Sequence, residues 1–295
     1  MKNIILKNSA TLFVLLISIS TAFSQNSKHE VSMYVGGGLS TLTYETEVGK
    51  RDNVAGGNLG IGYTYFFIEN FGLNTGVELA LYKANAKVNQ FNNVTQALVD
   101  HTDGELYDFY SLVKNYEEKQ NATYIYIPLI LQFQHGGKNK LYVQAGAKIG
   151  IPVAGKAKSS AAEMINKGFF YDTANWGETQ EFRGFGAFAN YSSEQDVDFK
   201  VAYSLSAELG MKWKLNDKLS LYTGAYVDYG LNDIVKGERN KSFTEITETS
   251  EAVVIRNNSI LNSSIGYGSN TLTQKLTDKV TPISIGFKVR LALGL

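Results

Sequence analysis

The end of the chain limits its fold more than any other stretch. Over 282–295 the odd positions read Ile283, Ile285, Phe287, Val289, Leu291, Leu293 and Leu295. The even positions read Ser284, Gly286, Lys288, Arg290, Ala292 and Gly294. A period of two puts one set on each face of a β-strand. The same residues wound into a helix would scatter the apolar side chains around its circumference. The stretch exceeds the roughly 9–11 residues that a tilted strand needs to cross a bilayer. Its apolar face suits lipid and its small, basic face suits a lumen.

The pattern recurs. Alternation predicts strands at about 31–43, 54–68, 71–82, 122–134, 141–151, 199–213 and 219–231, and the terminal strand makes eight. In the second, Leu59, Ile61, Tyr63, Tyr65 and Phe67 oppose Asn58, Gly60, Gly62 and Thr64. In the sixth, Phe199, Val201, Tyr203, Leu205, Leu209, Met211 and Trp213 share the apolar face. Pro128 lies inside the fourth, and a residue that cannot donate a ladder hydrogen bond predicts a bulge or local kink there. Tight turns at 69–70, 135–139 and 216–218 follow strands two, four and six. Longer polar segments follow the others, the largest at 83–121, 155–197 and 236–279. Within the first of these, Leu106, Tyr110 and Val113 suggest a short helix after Asp103.

Short turns on one side and long loops on the other are the signature of an outer-membrane barrel, with both termini and the turns periplasmic and the loops extracellular. Phe67, Phe71, Phe133 and Trp213 near the short turns fit an interfacial girdle. A secreted lipocalin-like barrel would turn its apolar face inward. Here the opposite face carries Gly, Tyr and charge, a poor dry core. The expected fold is therefore all-β: an eight-stranded antiparallel transmembrane β-barrel with three short periplasmic turns and long extracellular loops.

The N-terminus agrees with export. Lys2 and Lys7 precede a short apolar run at 10–19, and Ala22 and Ser24 stand at −3 and −1 of a cleavage site before Gln25. Residues 1–24 thus read as a signal peptide and 25–295 as the barrel domain. The chain has no Cys, which removes disulfides, thiolate catalysis and Cys-bound zinc. Its 28 basic and 28 acidic residues balance, so nucleic acid is not an expected partner.

The chemistry-bearing residues gather on the inner faces. Glu78, Lys148, Glu208, Asp228 and Lys288 should share one layer of the lumen, with Lys212 and Arg290 nearer the periplasmic end. Such a set could form an ion pathway or gate. It could equally be a paired network that fills a narrow barrel, since eight strands leave an interior just wide enough for side chains; that reading is preferred, and it predicts a plugged lumen. The three histidines are His29, His101 and His135. Only His101 falls in an extracellular segment, beside Asp100 and Asp103, and no His lies on a strand beside an outer-half Ser. No catalytic residue, metal site or cofactor is expected.

The chain resembles the outer-membrane β-barrel proteins of Bacteroidota, the PorT-like and OmpA-like eight-stranded barrels. The resemblance rests on Ala22-Phe23-Ser24-Gln25, on the strand from Tyr124 through Ile125, Tyr126, Ile127, Pro128 and Leu129 to Leu131, on Leu141-Tyr142-Val143-Gln144-Ala145-Gly146, and on Tyr229-Gly230-Leu231-Asn232-Asp233-Ile234. It implies fold and location and no activity. The usual assembly signal of such barrels ends in an aromatic residue, whereas this chain ends in Leu295. The expected partners are outer-membrane lipid, the barrel assembly machinery during insertion, and an extracellular or secretion-system protein. The expected role is structural, binding or assembly, carried by the extracellular loops. A small-solute channel is the alternative, and a membrane-embedded hydrolase or lipid-modifying enzyme comes third.

Overall fold

Backbone pairing follows the alternation. The computed structural model describes residues 28–100, 104–248, 253–267 and 272–295; the expected signal at 1–24, His101 and Asp103 lie outside them. The barrel strands are β1 (His29–Thr43), β2 (Ala55–Ile68), β3 (Phe71–Val99), β4 (Leu106–Gly136), β5 (Lys140–Phe170), β6 (Ala202–Lys214), β7 (Leu219–Gly230) and β8 (Thr281–Gly294). Each pairs antiparallel with its neighbour in sequence. The ring closes where β8 meets β1, in register from Glu30 opposite Gly294 to Thr43 opposite Thr281. Closure gives every membrane-level strand two partners, as a lipid environment demands.

The membrane band is legible on the outer surface. Ile125, Ile127, Leu129, Leu131 and Phe133 of β4 are exposed, as are Leu205 and Leu209 of β6 and Ile285, Phe287, Val289 and Leu291 of β8. Phe67, Phe71, Phe133 and Trp213 all point outward near the short turns, and the Phe71 and Phe133 rings stand 4.9 Å apart. Inside, tyrosines lie over glycines on the facing strand. Tyr34 is directly opposite Gly60, and Tyr126 is directly opposite Gly150. A Cβ at Gly60 would sit 2.6 Å from the Tyr34 ring, and one at Gly150 2.5 Å from that of Tyr126.

The chain departs from expectation outside the membrane. The stretches 83–99 and 106–121 are strand and not loop: β3 and β4 run on as 29- and 31-residue strands, and β5 extends to 31. At about 3.3 Å per residue, the 83–99 stretch alone adds roughly 50 Å of strand. The expected helix after Asp103 is part of β4; Leu106 is exposed and Val113 fully buried, on opposite faces of the sheet. Register runs through Pro128 without a shift, and the irregularity falls instead beside Pro152, where Val153 is the extra residue between the Thr123–Ala154 and Tyr124–Pro152 pairs. Phe199 belongs inside. It precedes β6, bridges Val235 and is buried, because 198–201 leaves β5 to bond the chain after β7.

Beyond the band, the alternation reverses its chemistry. Lys83 and Lys119 face out, while Ala84, Ala86, Val88, Tyr116 and Ala122 face in. The strand Gly186–Asp196 adds to β5, and Lys50–Asn53 pairs with β3. The segment after β7 lies against this wall and buries Ile234, Phe243, Ile260, Leu261, Ile265 and Leu276 in one apolar cluster with it. Where β5 passes from β6 to the added strand, a cavity of about 350 Å³ opens between 152–155 and 196–199, with the buried Val197 and Phe199 in its lining.

If the outward band faces lipid, Leu129→Arg should cost about 2–4 kcal/mol in reversible unfolding from lipid vesicles. Ser160→Arg, outward but above the band, should stay within about 0.5 kcal/mol. Equal costs at the two positions would refute the placement of the band.

Candidate functional site

The inward faces of β3, β5, β7 and β8 bring together Glu78, Lys148, Asp228 and Lys288, and β6 adds Glu208. Lys148 Nζ lies 2.9 Å from Glu78 Oε1 and 2.9 Å from Asp228 Oδ2. Lys288 Nζ lies 3.1 Å from Glu208 Oε2 and 3.9 Å from Glu78 Oε2. Arg290 does not stand apart from this layer as expected; its guanidinium donates to Glu208 Oε1 at 3.1 Å. Lys212 does stand apart, paired with Glu30 toward the short-turn end. Four acids and four bases therefore neutralise one another inside the wall.

Tyrosines complete the coordination. The hydroxyls of Tyr34, Tyr142 and Tyr222 donate to Glu78, Glu208 and Glu30 at 3.1, 2.6 and 2.6 Å. Lys288 sits 4.7 Å from the Tyr226 ring centroid and Arg290 4.4 Å from that of Tyr222, where the ring faces favour a desolvated cation. The cavity left among Glu78, Lys148, Glu208, Lys288 and Arg290 measures about 20 Å³, room for about one water. A first strand that begins at Val31 leaves Glu30 out of the expected lumen set, whereas β1 begins at His29 and buries Glu30. One step further back along the alternation puts Glu30 on the polar face with Ser32 and Tyr34.

A second constellation lies in the extracellular head. Glu118 is fully buried on β4, with no cation bonded to it among the described residues. Its carboxylate accepts from Tyr116 and Ser259 hydroxyls at 2.6 Å each, from Gln120 Nε2 at 2.8 Å and from the Ile260 N–H at 3.1 Å. Ser259 and Ile260 belong to the segment after β7, so this carboxylate ties that segment to the wall. At the root of the same segment, Arg239 donates to both Asp233 oxygens, at 2.7 and 2.9 Å. Sequence alternation carried no signal for Glu118, because 83–121 reads as loop.

The head's far end is aromatic on both faces. Tyr107, Phe109, Phe170 and Phe185 cluster inside. Outside, Trp176 stands 5.0 Å from Tyr110 and 5.1 Å from Phe169, which stands 5.8 Å from Tyr171. Trp176, Tyr171 and Phe182 are exposed. Asp100 pairs with Arg183. His29 shares a 2.6 Å hydrogen bond with the Tyr63 hydroxyl, and His135 stacks on Phe133. No group of metal-ligating side chains occurs among the described residues.

A closed wall of eight strands, apolar outside and ion-paired within, defines an integral β-barrel of the outer membrane. The chain belongs to the outer membrane protein beta-barrel domain family, whose model matches residues 9–249; β8, which closes the ring, lies beyond that match. Solved structures of the same kind include Neisserial surface protein A, at 8% identity and TM-score 0.32 over 92% of this chain and 100% of that one. A major outer membrane protein of Thermus thermophilus matches at 10% identity and TM-score 0.35, over 90% and 99%. OprG of Pseudomonas aeruginosa matches at 13% identity and TM-score 0.29, over 90% and 97%. No curated protein matches by sequence.

Lys148→Met leaves Glu78 and Asp228 buried without their shared cation and should destabilise the barrel by about 3–5 kcal/mol. Adding Glu78→Gln and Asp228→Asn should recover part of that loss in the same vesicle-unfolding assay. Glu118 predicts a pH effect. Burial pushes its carboxyl above the ordinary range, against the pull of its four donors. The folded head then holds the proton more tightly than the unfolded chain. This contribution is complete below the unfolded value of about 4.3 and is lost as pH rises through the folded one. Hydrogen-exchange protection at 259–260, corrected for intrinsic exchange rates, should fall over that rise in the native protein. Glu118→Gln should flatten the trend, and a slope that survives the substitution would mean another group titrates.

Proposed function

We propose that the protein is a non-enzymatic surface-binding component of the outer membrane, in which the barrel is a closed anchor and the extracellular head is the working part. The observation that carries this is the construction of the head. Its strands continue the barrel wall, its interior is a buried apolar cluster, and the segment after β7 is locked against it through Glu118. A platform held this firmly can present a surface in a fixed orientation. The surface it presents at its far end is the aromatic group around Trp176 and Tyr171. Exposed aromatic clusters of this kind favour binding sites, since they offer large contact area at small entropic cost.

The channel reading finds less support. Ion pairs and tyrosines occupy the lumen at the level where a solute would pass, and the paired network is the reading we carry forward for Glu78, Lys148, Glu208, Lys212, Asp228, Lys288 and Arg290. Purified protein in planar bilayers should show no steady conductance; a stable open level would return the channel to first place.

The binding role is tested by cross-linking in intact cells, followed by purification of the tagged protein from the outer membrane. Trp176→Ser with Tyr171→Ser should remove a cross-linked partner while leaving surface display and the unfolding midpoint unchanged. A partner that survives both substitutions would place the working surface elsewhere on the chain.

A further inference from the structure

On the outward face of β3, β4 and β5, the apolar band stops at Leu81, Ile125 and Val153. The residues that follow are basic. Lys83 and Lys156 stand directly opposite Asn121, one on each side of it. Two residues further along β4, Lys119 stands directly opposite Lys158. Four lysines on three adjacent strands thus surround one asparagine, and all five side chains point outward. With strands about 4.8 Å apart, the group spans about 10 Å across, within the joint reach of flexible ammonium arms.

Their partners are unevenly shared. Asp52 engages the more distant Lys87 at 2.9 Å. Glu194 stands opposite Lys158, yet its carboxylate closes on Lys156 at 3.0 Å. Glu117, further from the band, accepts from Asn85 at 2.7 Å, and Asp196 lies opposite Lys156 at the edge of the group. Lys83, Lys119 and Lys158 have no carboxylate in ion-pair contact among the described residues. Like charges directly opposite on one sheet face repel, so the Lys119–Lys158 pair is a cost unless an anion lies between them.

We propose that this patch binds the phosphate of an outer-leaflet lipid, with Lys83, Lys119 and Lys158 supplying charge and the Asn121 amide a further donor. Height selects the occupant. The patch begins one residue pair above the lipid-facing band, on the side of the extracellular head, where headgroups of that leaflet lie. A phosphate offers several acceptor oxygens to ammonium groups, and a lipid's acyl chains would run down the exposed Leu81, Ile125 and Ile151 and the half-buried Leu79 of the same strands. An anion free in solution would gain nothing from that continuity.

The test uses the full chain in detergent micelles doped with bisphosphorylated lipid A, with bound lipid counted by native mass spectrometry. The protein should retain lipid A, and the triple variant Lys83→Gln, Lys119→Gln, Lys158→Gln should lose at least tenfold in affinity. Asn121→Asp, which places a carboxylate at the centre of the patch, should lose as much. The charge-conserving triple change to Arg should keep binding, which separates the site from any folding defect. Lys87→Gln should matter little. Retention of lipid A by the Gln triple variant or by Asn121→Asp, equal retention of dephosphorylated lipid A, or equal affinity for inorganic phosphate would each overturn the assignment.

Discussion

Everything in this molecule follows from the hydrogen-bonding needs of backbone in lipid. An unpaired N–H or C=O in hydrocarbon costs several kcal/mol, so the sheet must close. The β1–β8 seam, continuous from Glu30–Gly294 to Thr43–Thr281, removes the last edge. Closing with eight strands leaves an interior just wide enough for side chains, and the strands must fill it without the apolar residues already committed to lipid. Tyrosine over glycine is one solution, at Tyr34–Gly60 and Tyr126–Gly150. Ion pairs are the other, with Lys148 bridging Glu78 and Asp228, and Lys288 and Arg290 both held by Glu208. A buried charge is tolerable only when paired and hydrogen-bonded, and the tyrosine hydroxyls on Glu78, Glu208 and Glu30 meet that condition.

The membrane-level strands were legible because lipid imposes a strong contrast between their two faces. Leucine and isoleucine alternate there with glycine and charge. Above the bilayer that contrast fades and reverses. The inner face of β3 becomes Ala84, Ala86 and Val88, and the outer face becomes lysine and asparagine. Small alanines signal an interior weakly, and a reader following the lipid-facing parity finds only polar residues, so 83–121 looks like loop. The spurious helix has the same origin. Leu106, Tyr110 and Val113 mimic helical spacing, yet they fall on both faces of β4, whose inward set passes from Val113 to Tyr116 across Asn115, where φ is positive.

The lumen set was legible as residues and not as partners. Period two assigns a face, but which side chains meet across the barrel depends on strand stagger, a property of the closed ring. Arg290 therefore reached Glu208 of the central layer, while Lys212 found Glu30. Glu118 was illegible for a further reason: four of its bonds, including those from Ser259 and Ile260, come from within the head, and two of these come from more than a hundred residues away.

The reversal of chemistry along β3–β5 also sets where the molecule sits. A strand that is apolar outward below Thr123 and apolar inward above it can occupy only one depth. Sliding it outward would expose Ile125 and Leu81 to water, and sliding it inward would bury Lys119 and Lys83 in hydrocarbon. The first displacement loses roughly 25 cal/mol for each Å² of apolar surface uncovered, and the second costs a few kcal/mol per lysine. Both penalties act on the same strands, so the head is held at a fixed height without a separate anchor. The lysines at the boundary then serve the fold before they serve any ligand. A phosphate bound among them would add charge neutralisation to a position that the apolar band has already determined.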